Sequence, residues 1–246
     1  MKHLLSSRLA PVAIALGAAF GLPAAHADVV NGGFHDGLAG WSTDGDASVL
    51  AQNAVDPDRL WLTTASTGFA DDVDFGFPAA GARNASGVAA VDNGTGALEG
   101  FTGAAPGAFG SAFEGSAATQ TFTAGAGQKL SFRWDLGTVD TSGNAALADT
   151  AFVVIDGRVT TLGNILGANQ PGTDGNAAST GWASFSATLD TAGQHTISFG
   201  VLDVGDYNGT STLAIAGVSV VPEAPSFAMF VAGLGLLSVS LRRRRG

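Results

Sequence analysis

The strongest constraint on the fold is an alternation of apolar and polar side chains, with a period of two residues, along the second half of the chain. In residues 129–135, Leu130, Phe132 and Trp134 fall on one face, and Lys129, Ser131, Arg133 and Asp135 on the other. Ile197, Phe199 and Val201 alternate in the same way, as do Phe185, Ala187 and Leu189 against Ser184, Ser186 and Thr188. Leu213 and Ile215 share a face, and Val218 and Val220 share one beyond a bulge predicted at Gly217. A period of two is that of a strand with one buried face. Residues 151–155 are apolar throughout, as a central strand covered on both faces would be.

Turn signals separate these runs. Asp156-Gly157, between Ile155 and Val159, is a two-residue hairpin signal. Residues 124–128, with two glycines, read as a hairpin loop, and residues 191–194 join the runs around Phe185 and Ile197. No convincing amphipathic helix intervenes. Between residues 65 and 115 the pattern is less regular; short strands are predicted at 59–63 and 88–91, and much of the rest as loop. The whole predicts one all-β domain, an antiparallel β-sandwich or jelly roll.

Composition agrees and excludes some chemistry. The 36 glycines are about twice the usual share, which favours strands joined by turns over long helices. There is no cysteine, so the core must hold the fold without disulfides, and thiol catalysis, iron–sulfur clusters and cysteine-bound zinc are excluded. Between residues 28 and 220, five basic side chains stand against 20 acidic ones, a net charge of −15. Such a domain repels nucleic acid and anionic lipid. Its acidity suits cation binding or simple solubility.

Both ends read as sorting segments. Lys2, His3 and Arg8 precede an uncharged run and then Ala25-His26-Ala27, the pattern of a secretory signal peptide over 1–27 cleaved before Asp28. At the other end, 15 uncharged residues (227–241) precede Arg242, Arg243, Arg244 and Arg245. As a helix that run spans about 22 Å against a hydrocarbon core of about 30 Å, short for a lasting anchor. The arginines would stay on the cytoplasmic side.

With Pro222, Glu223 and Pro225 just before it, the segment 221–246 resembles the PEP-CTERM sorting signal of Gram-negative bacteria, with Ala224 inserted in the Pro-Glu-Pro element. The resemblance implies passage through the Sec machinery, transient anchoring in the inner membrane, recognition by exosortase, and delivery to the cell surface or extracellular matrix. The domain at 28–220 would thus be flanked by a signal helix and a transmembrane helix. Residues 29–34 (VVNGGF) followed by 37–41 (GLAGW) resemble the first strand of bacterial carbohydrate-binding-like jelly rolls. The stretches 115–156 and 200–220 resemble a domain common among PEP-CTERM proteins, with Ala216-Gly217-Val218 where relatives often carry Asp-Asn-Val.

No G-x-S-x-G elbow, H-E-x-x-H or P-loop pattern occurs. Of the two histidines in the domain, His35 belongs to a polar turn and His195 to the start of a strand, where a surface or edge position is expected rather than a general base. Catalysis is therefore not expected, and no cofactor beyond a structural calcium. Calcium takes oxygen ligands from loops. Asp71, Asp72 and Asp74 lie together in one loop, Asp44 and Asp46 in another, and Asp203 and Asp206 could converge with Asp135, Asp140 and Asp149; the alternative is a solvated acidic surface. Trp41, Trp61, Trp134, Trp182 and Tyr207 are the rings on which a sugar could stack. Core burial is the simpler reading for the set, with Trp182 and Tyr207 the least committed. The expected function is a non-enzymatic surface or biofilm-matrix protein sorted by exosortase; the alternative is a carbohydrate-binding module for exopolysaccharide.

Overall fold

A computed structural model describes residues 29–53, 56–65, 86–92, 96–140, 143–207 and 209–222. The segments 1–27 and 223–246, and with them the signal peptide, the transmembrane run, Glu223, Pro225 and the arginine cluster, lie outside the described residues. Among the described residues no helix is long and apolar enough to cross a membrane.

Among the described residues, thirteen strands form two antiparallel sheets. The six-stranded sheet runs β1 (Ser42–Asp44), β5 (Ala112–Ala124), β12 (Gly193–Val204), β7 (Thr150–Ile155) and β8 (Arg158–Asn164), with β4 (Val91–Asp92) also pairing β5. The seven-stranded sheet runs β2 (Asp46–Leu50), β3 (Arg59–Thr63), β13 (Ser211–Pro222), β6 (Gln128–Thr138), β10 (Ala178–Ser179) and β9 (Gln170–Pro171), with β11 (Ala183–Leu189) pairing the first part of β6. The antiparallel sandwich expected from the alternation is present.

The alternation sorts the faces as expected. Leu130, Phe132, Trp134 and Leu136 from one sheet meet Ile197, Phe199 and Val201 from the other in the main core. Trp41 joins it, with ring centroids 5.4 Å from Phe34 and 5.6 Å from Phe199. Strand β7 is buried on both faces: Ala151 and Val153 enter the main core, while Phe152 and Val154 enter a second cluster on the outside of the six-stranded sheet. The Asp156-Gly157 hairpin forms, with Ile155 opposite Arg158 and both turn residues at positive φ (51° and 80°). The bulge falls at Gly217, where the β13–β6 register shifts between Ala216 and Ser219.

Three expectations fail. Residues 124–128 do not close a hairpin, because β5 and β6 lie in different sheets; the link turns a corner between them, held by the Gln128 side chain accepting from Gly125 N at 2.6 Å. A short glycine-rich link serves a hairpin or a corner equally well, and only the partners of each strand decide. A helix does intervene: α1 (Ala97–Thr102) sits in the stretch read as loop. At six residues it is too short to print a 3.6-residue period. It buries Leu98 in the second cluster with Phe109, Phe152 and Leu202, while Glu99 accepts from the backbone N–H groups of Gly107 and Phe109.

The third concerns residues 30–40, which form a chain of turns rather than a first strand. Asn31, Phe34, Gly37 and Gly40 all adopt positive φ, which breaks any extended run. Asn31 donates to Gly37 O and Ala39 O, and the turn docks on the bulge through Val218 N to Gly32 O at 2.9 Å. A Cβ on Gly32 would sit 2.0 Å from Val218 O, so only glycine fits that approach.

Candidate functional site

With Leu130, Phe132 and Trp134 committed to the core, β6 turns Lys129, Ser131, Arg133 and Asp135 to the outside of the seven-stranded sheet. The β11 register sets Thr188, Ser186 and Ser184 opposite Lys129, Ser131 and Arg133. On the other flank β13 sets Ser219 opposite Ser131, and the two hydroxyls lie 3.1 Å apart. Beside the Gly217 bulge these residues line an open hollow of about 370 Å³, whose walls include Lys129, Ser131, Arg133, Ser184 and Ser186. Ser184, Ser186 and Arg133 are exposed.

Further along the same face the surface is closed. The 170–182 segment lies over Trp61, which is 5% exposed, so this tryptophan is buried on the outside of the sheet and not in the sandwich core. Arg59 fastens the cover: it is 2% exposed and donates to Asp174 at 2.8 Å. Asn176 donates to Thr212 at 2.9 Å, and Asp135 accepts from Ser179 and Thr180. Burial, helped by the charge of Asp56, raises the Asp135 carboxyl above its ordinary range despite those hydrogen bonds.

Trp182 stands where the closed part meets the hollow. Its indole N–H donates to Asp56 at 2.8 Å, and the Arg133 guanidinium lies over its ring, 4.9 Å from the centroid. A stacked guanidinium keeps its in-plane N–H groups for other partners. The hollow thus combines hydroxyls, an oriented arginine and a lysine at the margin of an aromatic ring.

The other residues singled out in the sequence are not gathered there. Tyr207 packs edge-on against Phe113, at 4.8 Å between centroids; burial and the charges of Asp92, Glu114 and Asp203 raise its hydroxyl above the ordinary range. Asp203 is fully buried opposite Glu114 on the next strand. Asp206, with Asp140, acts instead on Asp149, which accepts from Ser211 Oγ and Val204 N and is pushed up to about 8, chiefly by burial. Asp135 is on the other sheet's outer face, so the five aspartates at strand ends do not meet in one place. Asp44 is in β1 and Asp46 is buried in β2, where it accepts from Thr63 and Ser86. Asp71, Asp72 and Asp74 lie outside the described residues. Among the described residues no three metal-ligating side chains come together.

His195 corrects the expectation of a surface position. It is 2% exposed, with Nδ1 2.7 Å from Asp156 Oδ2 and Nε2 3.1 Å from Thr191 O. Its inward face on β12 stacks on Phe122 at the end of the sandwich. A larger cleft of about 600 Å³ opens beside it, between the edge strands β8 and β11, with Ile155, Val159, Phe185 and Leu189 as its apolar wall. The polar groups Asp156 and His195 at that cleft are already bonded to each other, whereas the serines at β6 and β11 face outward.

The hollow was half legible. The alternation placed Lys129, Ser131, Arg133, Ser184 and Ser186 on outward faces, but nothing in it distinguished them from any solvated strand. Their gathering depends on the β6–β11 pairing.

No sequence-family profile matches the chain, and no curated relative matches. Among solved structures, it is similar to a carbohydrate-binding module in complex with β-1,4-galactotriose, at 11% identity and a TM-score of 0.39, covering 79% of this chain and 97% of that one. It is also similar to a module specific for non-crystalline cellulose, at 13% identity and a TM-score of 0.40, covering 79% and 95%. A third similar structure is the enzymatically active domain of a bacteriophage tailspike, at 12% identity and a TM-score of 0.34, covering 79% of this chain and 21% of that one. Identities this low carry no ligand across, so what the hollow holds is argued from its own side chains.

Proposed function

We propose that the protein is a non-catalytic carbohydrate-binding module that holds glycan on the outer face of its seven-stranded sheet. The observation that carries this reading is the hydroxyl-lined hollow bordered by the Trp182–Arg133 stack. Glycans offer many hydroxyls and weakly apolar ring faces, and a site with a few outward polar groups beside an aromatic edge suits both. Retention on immobilised glycans is the test. Arg133→Ala should weaken retention, and Tyr207→Ala, remote from the hollow, should not. A protein that retains no glycan, or an Arg133→Ala variant retained like wild type, would sink the reading.

The sequence of the two ends supports a companion proposal on location. The chain enters the Sec pathway through residues 1–27, is held in the inner membrane by 227–241, and is released by exosortase near Pro222, Glu223 and Pro225 to the surface or matrix, where exopolysaccharide is the glycan at hand. Mass spectrometry of the surface-associated protein should find both ends removed; a full-length mass there would refute the processing.

A further inference from the structure

We infer that the ligand of the hollow is an acidic glycan, a uronate-containing oligosaccharide with one carboxylate met by Arg133 and another by Lys129; this rests on the carbohydrate-binding reading above. In a domain with a net charge of −15, a surface cation has carboxylates in abundance to pair with. Arg59 is paired, with Asp174. Among the described residues, neither Lys129 nor Arg133 lies within ion-pair distance of a carboxylate, and both border the same hollow. The third such cation, Arg158, stands apart at the β7–β8 turn and lines the other cleft.

The geometry of the two suits successive carboxylates along a sugar chain. They occupy alternate outward positions of β6, four residues and therefore about 13 Å apart along the strand. Between them, Ser131 and the facing Ser184 and Ser186 offer hydroxyls to a sugar. Arg133 lies over the Trp182 ring, which positions its guanidinium before the ligand arrives, and a planar fork of this kind matches a carboxylate with two parallel hydrogen bonds. Lys129 supplies a point charge at the far end. Long polyanions are disfavoured by the domain's overall charge, which leaves a short acidic oligosaccharide as the matching class.

The test compares an oligogalacturonate with a neutral oligogalactoside of the same length, and with inorganic polyphosphate, by calorimetry on the purified protein at low and at moderate salt. The acidic sugar should bind at least tenfold tighter than the neutral one at low salt, and the gap should narrow as salt screens the contact. Lys129→Gln should shrink the ratio of the two affinities several-fold, and Lys129→Arg should keep it. Equal affinities, or an unchanged ratio in Lys129→Gln, would overturn the inference and leave the glycan-binding reading standing. Binding of neither sugar, with or without binding of polyphosphate, would overturn both.

Discussion

The Arg133 guanidinium lies 4.9 Å from the centroid of the Trp182 ring, and the same indole donates to Asp56 at 2.8 Å. One residue on an edge of the sheet thereby links an outward cation to a buried carboxylate, which is 7% exposed.

A double-mutant cycle on Arg133 and Trp182 should find a coupling of about 0.5–1 kcal/mol, the scale of a cation over an aromatic face at an exposed site. Trp182→Phe should keep most of that coupling but cost about 1–3 kcal/mol by removing the indole donor to Asp56 Oδ1. Equilibrium urea unfolding of the wild type and these variants measures both; additive single-mutant effects would show that the stack contributes nothing.

Stability should decline as pH rises from about 4 to about 8. Asp149 titrates at 3.8 when unfolded and at about 8 when folded, raised first by burial and then by Asp140 and Asp206, against the bonds from Ser211 and Val204. Between those values the folded protein keeps a proton that the unfolded chain has released, so the unfolded state gains as pH increases, and the effect levels off above the higher value. Asp149→Asn should flatten the decline in thermal unfolding measured across this range. The same slope in that variant would assign the titration to other groups.

Gly200 and Gly100 should respond oppositely to alanine. A Cβ at Gly200, in the centre of β12, would lie 2.2 Å from Phe152 Cζ and 3.0 Å from Ser116 O, so Gly200→Ala should cost about 1–3 kcal/mol. Gly100, inside α1, has nothing within 4 Å of its Cβ position, and Gly100→Ala should stabilise by about 0.5–1 kcal/mol. Chemical denaturation of the two variants checks both signs.

The strands that build the main core were legible because each buries one face. Phe132 and Phe185 could be assigned inward from their neighbours alone, and their rings do stack, 4.9 Å apart. What local pattern does not contain is the partner of a strand. The corner after Ala124 looks like a hairpin until β6 is seen to pair with β13 and β11. The cover over Trp61 depends on Arg59 reaching Asp174 across 115 positions in sequence. His195 reads as polar and therefore exposed, yet Asp156 and Thr191 satisfy both ring nitrogens and let it be buried. The closing of the hollow was hidden for the same reason as the corner: serines on β6, β11 and β13 become neighbours only through pairing.

Strand β13 lies between β3 and β6, and its last residues, Val221 and Pro222, stand opposite Lys129 and Gln128. A pull along the chain beyond residue 222 first loads residues 219–222, which pair β6 alone, and then residues 212–215, which β3 and β6 hold on both sides. Where that force runs along the strand axis the load is a shear, so the rungs resist together instead of peeling open one at a time. A sandwich still joined to its C-terminal sorting segment, before release, would bear membrane tension along this ladder.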